Sequence, residues 1–478
     1  MLQAVLPVGG TAVKVTLLGH ATVLVETGPM RILMDPVLQD PFENGMVVSC
    51  PKRVIDLDRL GPIDVVVLSH RHPDHFDLPS LDRLSRHCQV VCANDPLLLY
   101  ALGALGFEHV TPMDPHSAMP SPHAELFPTR SENTAVRECG MVIRDDNAVF
   151  WNQVDTELSP ETIAEVRRRY GGVDLLFAMY AGQNFDFFDS LESEFPSETH
   201  RQNLENALRI APQLLVPASA GFRFADEHSW LNPLLFPISR ERFAEDLRAL
   251  DAGISVALLD PGDQVILGRG DPRVARAASS IAKTLDVSTN AIHFDPTAPI
   301  PPLRDPNPEG LMPSEMCETI ASFLEKELLP HCAAALGQPR TLAARYRRQG
   351  AVYGIEVIFP DDRDRSAEPG EGWTLDFRAN PLQLSRGLDP RANVVHRIAA
   401  SALTGWIQHR LGWFSVRAYS RRYSTLCSIS GHASSLRVEA ASLPDLLMHF
   451  TIYQAAESED AAKRRIDYEI SQLREVRG

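Results

Sequence analysis

The feature that most constrains this chain is a β-branched run that ends in a burst of metal-ligand side chains. Val65-Val66-Val67-Leu68 leads directly into Ser69-His70-Arg71-His72-Pro73-Asp74-His75. β-Branched residues pack well on a pleated surface, so the run predicts a buried strand, and the polar residues fall on the loop leaving it. Three of the chain's 16 histidines stand between positions 70 and 75, with one aspartate. Imidazole and carboxylate are the ligands that zinc and iron prefer. In an extended segment His70 and His72 project to the same side, because side chains repeat every second residue, so both can reach one metal. Asp74 and His75 come after the turn, within reach of a second metal. A solvated polar loop is the bland alternative, and the density of histidines weighs against it.

The residues around this motif read as alternating strands and helices. Residues 13–18 alternate and predict a strand, Gly19-His20-Ala21-Thr22 interrupts it, and Val23-Leu24-Val25-Glu26 resumes. A turn at Gly28-Pro29 leads to Arg31-Ile32-Leu33-Met34 and then Asp35-Pro36, completing a β-meander. Downstream, Val90-Val91-Cys92-Ala93 reads as a buried strand, and Asp95-Pro96 opens a helix that Gly106 ends. Strand–helix alternation of this kind indicates an α/β layered domain. A later buried strand, 173–179, empties into Tyr180-Ala181-Gly182-Gln183-Asn184-Phe185, an aromatic loop suited to lining a pocket or to a satellite core cluster.

Length and charge narrow the class. At 478 residues two domains are expected. A formal net charge of −16 argues against a nucleic-acid binder, which needs a basic face. No apolar run is long enough to span a membrane, and the first ten residues lack the basic and apolar regions of a signal peptide. Seven scattered cysteines, an odd number, suit free thiols in a reducing compartment. The expectation is a cytoplasmic protein.

His-x-His-x-Asp-His, together with Leu-Gly-His-Ala-Thr-Val-Leu-Val-Glu and Leu-Met-Asp-Pro near the amino terminus, resembles the metallo-β-lactamase superfamily. The resemblance implies an α/β fold, an αββα sandwich followed here by a smaller α+β domain. It implies that Asp35 orients a ligand histidine, against a plain turn residue before proline. His20 lies near the mouth of the site in that pattern and reads equally as structural. Asp155, before Thr156, matches the aspartate that bridges two metals. After the strand at 125–130, where hydrolases of the superfamily carry a histidine, the slot holds Glu132 or Asn133, with Glu138 as a further occupant; Glu132 is the assigned ligand. After Val216-Pro217, where those hydrolases place their last histidine, the chain reads Ala-Ser-Ala-Gly-Phe, and His228 is assigned as the displaced final ligand.

Asn-Gln-Val-Asp-Thr, Pro-Ala-Ser-Ala-Gly-Phe-Arg-Phe-Ala-Asp-Glu-His and Asp260-Pro261-Gly262-Asp263 further resemble the metallo-β-lactamase-like part of CMP-N-acetylneuraminate hydroxylases. The ligand set is also similar to that of di-iron β-hydroxylases of this fold. These resemblances imply a di-iron oxygenase that hydroxylates or N-oxygenates a small metabolite. His70, His72 and Glu132 would hold one iron and Asp74, His75 and His228 the other, with Asp155 between them; Asp74 and Asp155 carry the catalytic role. No Cys-x-His pair of the Rieske kind occurs in the sequence, so electrons would come from an external reductase. The alternative is a dinuclear zinc or manganese hydrolase acting on a phosphodiester, lactone or amide, with a non-catalytic binding protein as a third reading.

The expected domains are 1–290, metal-binding and catalytic; 291–312, a proline-rich linker; and 313–478, an α+β accessory domain for substrate binding or homodimerisation. In the last, helices are expected at 314–329, 393–410 and 457–476, and strands at 352–359, 373–377, 415–419, 425–429 and 436–439. In outline this module resembles sterol-carrier-like domains. Trp406, Trp413 and Phe414 are expected in its core.

Overall fold

The structure, a computed structural model, describes residues 12–121, 123–268, 270–286, 293–360, 371–424, 443–451 and 459–477. Among these, eight strands form one sheet in the order Gly270–Ala275, Gln264–Gly268, Val13–Gly19, Thr22–Thr27, Met30–Met34, Val65–Leu68, Gln89–Ala93, His109–Met113. The amino-terminal meander pairs antiparallel. From Met30–Met34 onward the pairing is parallel. Neighbouring parallel strands end at one edge, which brings the loops after Met34 and Leu68 together.

A second sheet of six strands runs Leu214–Ala218, Leu175–Met179, Val149–Asn152, Cys139–Arg144, Glu125–Arg130, Met119–Pro120. Its side chains alternate between two cores, as the period of two requires. Met141, Ile143, Leu175, Phe177, Leu214 and Val216 pack toward the first sheet. Val142, Trp151, Leu176 and Leu215 point outward, against Ile163, Leu204 and Phe243 of the helices Pro160–Tyr170, Ser197–Ile210 and Arg240–Leu250. Two face-to-face sheets with helices outside are the αββα sandwich expected from the sequence.

The second unit has a five-stranded sheet, Gln383–Arg386, Glu371–Asp376, Val352–Ile358, Val394–Ala399, Ser420–Ser424, with its own core. Two sequence expectations change here. Residues 393–410 are not one helix: Val394–Ala399 is a strand and Ala400–Ile407 the helix. The β-branched Val394, Val395 and Ile398 pair between two strands before the helical spacing begins. Residues 415–419 belong largely to a helix, Trp413–Ala418, and the strand starts at Ser420. The strands expected at 425–429 and 436–439, and the first residues of the last helix, lie outside the described residues.

That last helix, Glu459–Arg477, bridges the two units, with Ala461 in the second core and Arg464 paired with Glu327. Ile466 and Ile470 join the core of the first, over the helix Pro96–Leu105, and Tyr100 donates to Asp467 at 2.7 Å. Burying each such isoleucine contributes roughly 1.5–3 kcal/mol. No helix among the described residues is long and apolar enough to cross a membrane, and none of the six described cysteines forms a disulfide.

Candidate metal centre

The site is built where the strands Met30–Met34 and Val65–Leu68 end. Asp35 follows the first in the left-handed region, φ 42°, its N–H held by Val67 O at 2.9 Å. Its buried carboxylate accepts three hydrogen bonds: Ser69 N–H at 2.8 Å, Ser69 O–H at 2.6 Å and His75 Nδ1–H at 2.9 Å. The Ser69 hydroxyl, having donated to Asp35, accepts from His70 Nδ1 at 2.9 Å. Both rings thus spend Nδ1 on orientation and are left with Nε2 for the centre, the usual way an outer partner fixes a ligand tautomer.

Two groups of potential ligand atoms result, each with all atoms within 4.8 Å of one another: His70, His75 and Asp155, and His20, Asp74 and His75. His72 Nδ1 lies 3.0 Å from His70 Nε2. His20 Nε2 lies 3.1 Å from Asp74 Oδ2. Asp155 enters from the second sheet, two residues past Gln153. Gln153 N–H donates to Phe177 O at 2.9 Å, and its side-chain oxygen accepts from Met179 N–H at 3.1 Å.

Three buried polar atoms of these groups have no hydrogen-bond partner: His20 Nδ1, His75 Nε2 and Asp155 Oδ1. His75 Nε2 lies 3.2 Å from Asp155 Oδ2 but off the line of a hydrogen bond. Unsatisfied atoms of this kind need an explanation, and a cation supplies one. The donor set, imidazole nitrogens with carboxylate oxygens, fits a pair of divalent transition metals.

The electrostatics agree. Burial, reinforced by the neighbouring His75 and His72 rings, holds His70 well below the ordinary histidine range and so in the neutral, ligating form. Burial also opposes charge on His75, but the carboxylates of Asp155 and Asp74 outweigh it and push the ring well above that range. Burial alone would raise Asp74; His75 and His20 reverse this and hold it far below the usual carboxylate range. Glu138 is pushed up to about 7 by burial, with Asp155 and Glu157 adding to it.

The structure does not bring every sequence-assigned residue here. His70, His72, Asp74, His75 and Asp155 converge. Glu132 does not: it is exposed, 3.6 Å from Arg130, with its backbone N–H on Glu157 O. Glu138 lines the cavity instead, 8% exposed and accepting from Ser131 Oγ at 2.5 Å. His228 also lies elsewhere, in the short helix Asp226–Leu231, its ring 5.1 Å from that of Tyr419 and its Nε2 3.7 Å from Glu227. The slot after Val216-Pro217 has no room for an imidazole at Gly221, where a Cβ would stand 2.9 Å from Cys50 O and 3.5 Å from His20 Cα. His20 supplies the ring on that side. It sits at φ 48° beside the register shift between Leu17 and Gly19. Its sequence signal was the Gly-His-Ala-Thr interruption of an otherwise regular strand.

A cavity of about 420 Å³ opens onto His72, Asp74, Glu138 and Asp155. The aromatic loop contributes Phe185, and the second unit closes the far side with Trp413, Phe414, Arg417 and Met448. Trp406 and Trp413 belong to the second core, as expected, but Trp413 and Phe414 also line this cavity.

Residues 30–214 match the family model of the beta-lactamase superfamily domain. Among curated proteins, the chain is 27% identical over 179 residues to one named as a Rieske 2Fe-2S iron-sulfur protein of Mycolicibacterium smegmatis, covering 35% of this chain and 34% of that one. It is 35% identical over 77 residues to the cytidine monophosphate-N-acetylneuraminic acid hydroxylase of Danio rerio, covering 16% and 13%. The chain thus spans about a third or less of the length of these two relatives. Similar solved structures include CmlA, a diiron beta-hydroxylase from Streptomyces venezuelae, at 18% identity and TM-score 0.39 over 57% of this chain and 55% of that one. They also include Igni18, a metallo hydrolase from Ignicoccus hospitalis, at 18% identity and TM-score 0.37 over 54% and 98%.

Proposed function

We propose that this chain is a metal-dependent oxygenase of the metallo-β-lactamase fold, with a dinuclear, iron-favouring centre that oxidises a small molecule. The ligands are His70, His72, Asp74, His75 and Asp155, joined by His20 and by Glu138 in the role the sequence assigned to Glu132. Bound there, two such ions supply Lewis acidity and, when they are iron, the one-electron chemistry that dioxygen activation needs. The protein's part is to orient and to enclose. Asp35 fixes His75 directly and His70 through Ser69. Asp155, half-buried in the group with His70 and His75 and carrying one buried unpartnered oxygen, would offset the repulsion of two dications. Trp413, Phe414 and Met448 give the cavity an apolar wall.

The observation that carries the iron reading is Glu138, a buried carboxylate that lines the cavity beside His72, Asp74 and Asp155. In this reading it takes the place that a histidine has in hydrolases of the superfamily, and hard oxygen donors favour iron over a purely imidazole zinc site. The hydrolase reading retains one specific support, four imidazoles within or beside the two groups. The test is dioxygen uptake by reduced iron-loaded protein set beside zinc-loaded protein. Uptake and a visible absorption band with iron alone are expected. Inert iron protein, together with zinc-dependent cleavage of a phosphodiester, lactone or amide, would move the assignment to a hydrolase.

A further inference from the structure

The second unit does more than cover the cavity. Trp413 and Arg417 stand four residues apart on the helix Trp413–Ala418, which places them on one face, and both line the cavity shared with His72, Asp74 and Asp155. Trp413 is 2% exposed and Arg417 6%. Among the described residues, Trp413 Nε1–H and Arg417 Nε–H, both buried, have no acceptor. The remaining edge of the guanidinium is engaged, with Nη2 3.6 Å from Asp189 Oδ2 and the plane 4.8 Å over the Phe188 ring. Leaving two N–H donors dry and unpaired in one wall is costly, on the order of 1–3 kcal/mol each and more for the charged one. A ligand oxygen seated against the Trp413 and Arg417 side chains of the cavity wall could supply the missing acceptor.

We infer that Trp413 and Arg417 form the subsite for a carboxylate of the substrate, whose apolar body lies against Phe185 and Phe414. The guanidinium favours an anion and suits a carboxylate geometrically. The other walls carry Glu157 and Asp186, whose charge opposes a doubly charged phosphate more than a singly charged carboxylate. Phe185 and Phe414, with ring centroids 5.5 Å apart, offer apolar surface in the same cavity. The second unit is then a specificity module: it selects a small carboxylic acid and holds its apolar part toward the centre. This rests on the proposed function only in placing the reacting end at the metals.

Calorimetric titration of the metal-loaded full chain with 3-phenylpropionate, 3-phenylpropionamide and phenyl phosphate tests it, with metal content measured in parallel. The carboxylate is expected to bind at least tenfold tighter than the amide, and tighter than the phosphate. Arg417→Gln should reduce the preference over the amide to twofold or less without changing metal content. Trp413→Phe, which keeps an aromatic ring but removes the Nε1–H donor and part of the indole's bulk, should weaken the carboxylate about threefold to tenfold and serves if Arg417→Gln does not fold. Equal affinity for acid and amide, or a preference that survives both variants, overturns the subsite. Arg417-dependent preference for phenyl phosphate overturns the carboxylate assignment. A metal-poor protein that retains the Arg417-dependent preference would count against the proposed function and leave this subsite standing.

Discussion

Asp35 accepts the Nδ1–H of His75 at 2.9 Å, and through the Ser69 hydroxyl the same carboxylate also orients His70. One buried acid at the end of Met30–Met34, held at φ 42°, therefore aims two imidazoles of the loop that follows the neighbouring strand Val65–Leu68. Asp35→Asn keeps the size but loses acceptor strength toward both donors. It is expected to weaken metal binding about 10- to 100-fold, the usual cost of losing such an outer partner. Competition with a chelator of known affinity measures this, and unchanged affinity would remove Asp35 from the account.

His20 is positioned by Arg53. The buried guanidinium donates to Leu18 O at 2.9 Å, Gly19 O at 3.1 Å and Val37 O at 2.6 Å, and pairs with Asp40 at 3.2 Å. These bonds tie the bend at Gly19-His20 to the loop after Asp35. Arg53→Met leaves the half-buried Asp40 without its cation and removes the bonds to Leu18, Gly19 and Val37, a change that lowers stability by up to about 3 kcal/mol. Loss of metal should accompany the fall in stability. Calorimetry and metal analysis on the same preparation check both.

Residues that the sequence placed at the metals and residues that the structure places there can be separated by four variants. Glu138→Gln and His20→Ala are each expected to lower metal content to half or less. Glu132→Gln and His228→Ala should leave it within about 10% of the unmutated protein, because exposed Glu132 pairs with Arg130 and His228 packs on Tyr419. The reverse pattern would restore the sequence assignment.

Acid should weaken the second unit through His396. Burial holds this histidine down to about 4, against an ordinary value of about 6.5. The unfolded chain therefore binds a proton between those values and the folded chain does not. Stability present above about 6.5 is lost as pH falls toward 4 and is flat below it, a change on the order of 3 kcal/mol. Thermal unfolding of the metal-free protein from pH 7.5 to 4 follows the trend, and His396→Gln should flatten it.

Much of this was legible in sequence because it is local. The Val65–Leu68 run and the His70–His75 spacing needed only the two-residue period of a strand and the turn after it. Asp155 was found through its place after a strand. The remainder depends on contacts that no local pattern encodes. Glu138 reaches the cavity because Ser131 folds back on it, six residues after Glu132 in the chain. His20 enters because the first strand bends at Gly19-His20, with His20 at φ 48°, and its backbone packs beside Gly221. The second unit was misread at 393–399 because helical and strand spacings coincide in a short apolar segment, and pairing on both sides decides for the strand.

The central claim is that His20, His70, His72, Asp74, His75, Glu138 and Asp155 hold two metal ions. Metal content per chain, determined by mass spectrometry on protein purified from iron-supplemented cells, tests it most directly. The account predicts close to two ions per chain, predominantly iron, falling to one or fewer in Asp155→Ala. Fewer than one ion per chain in the unmutated protein, or occupancy indifferent to Asp155, would contradict it.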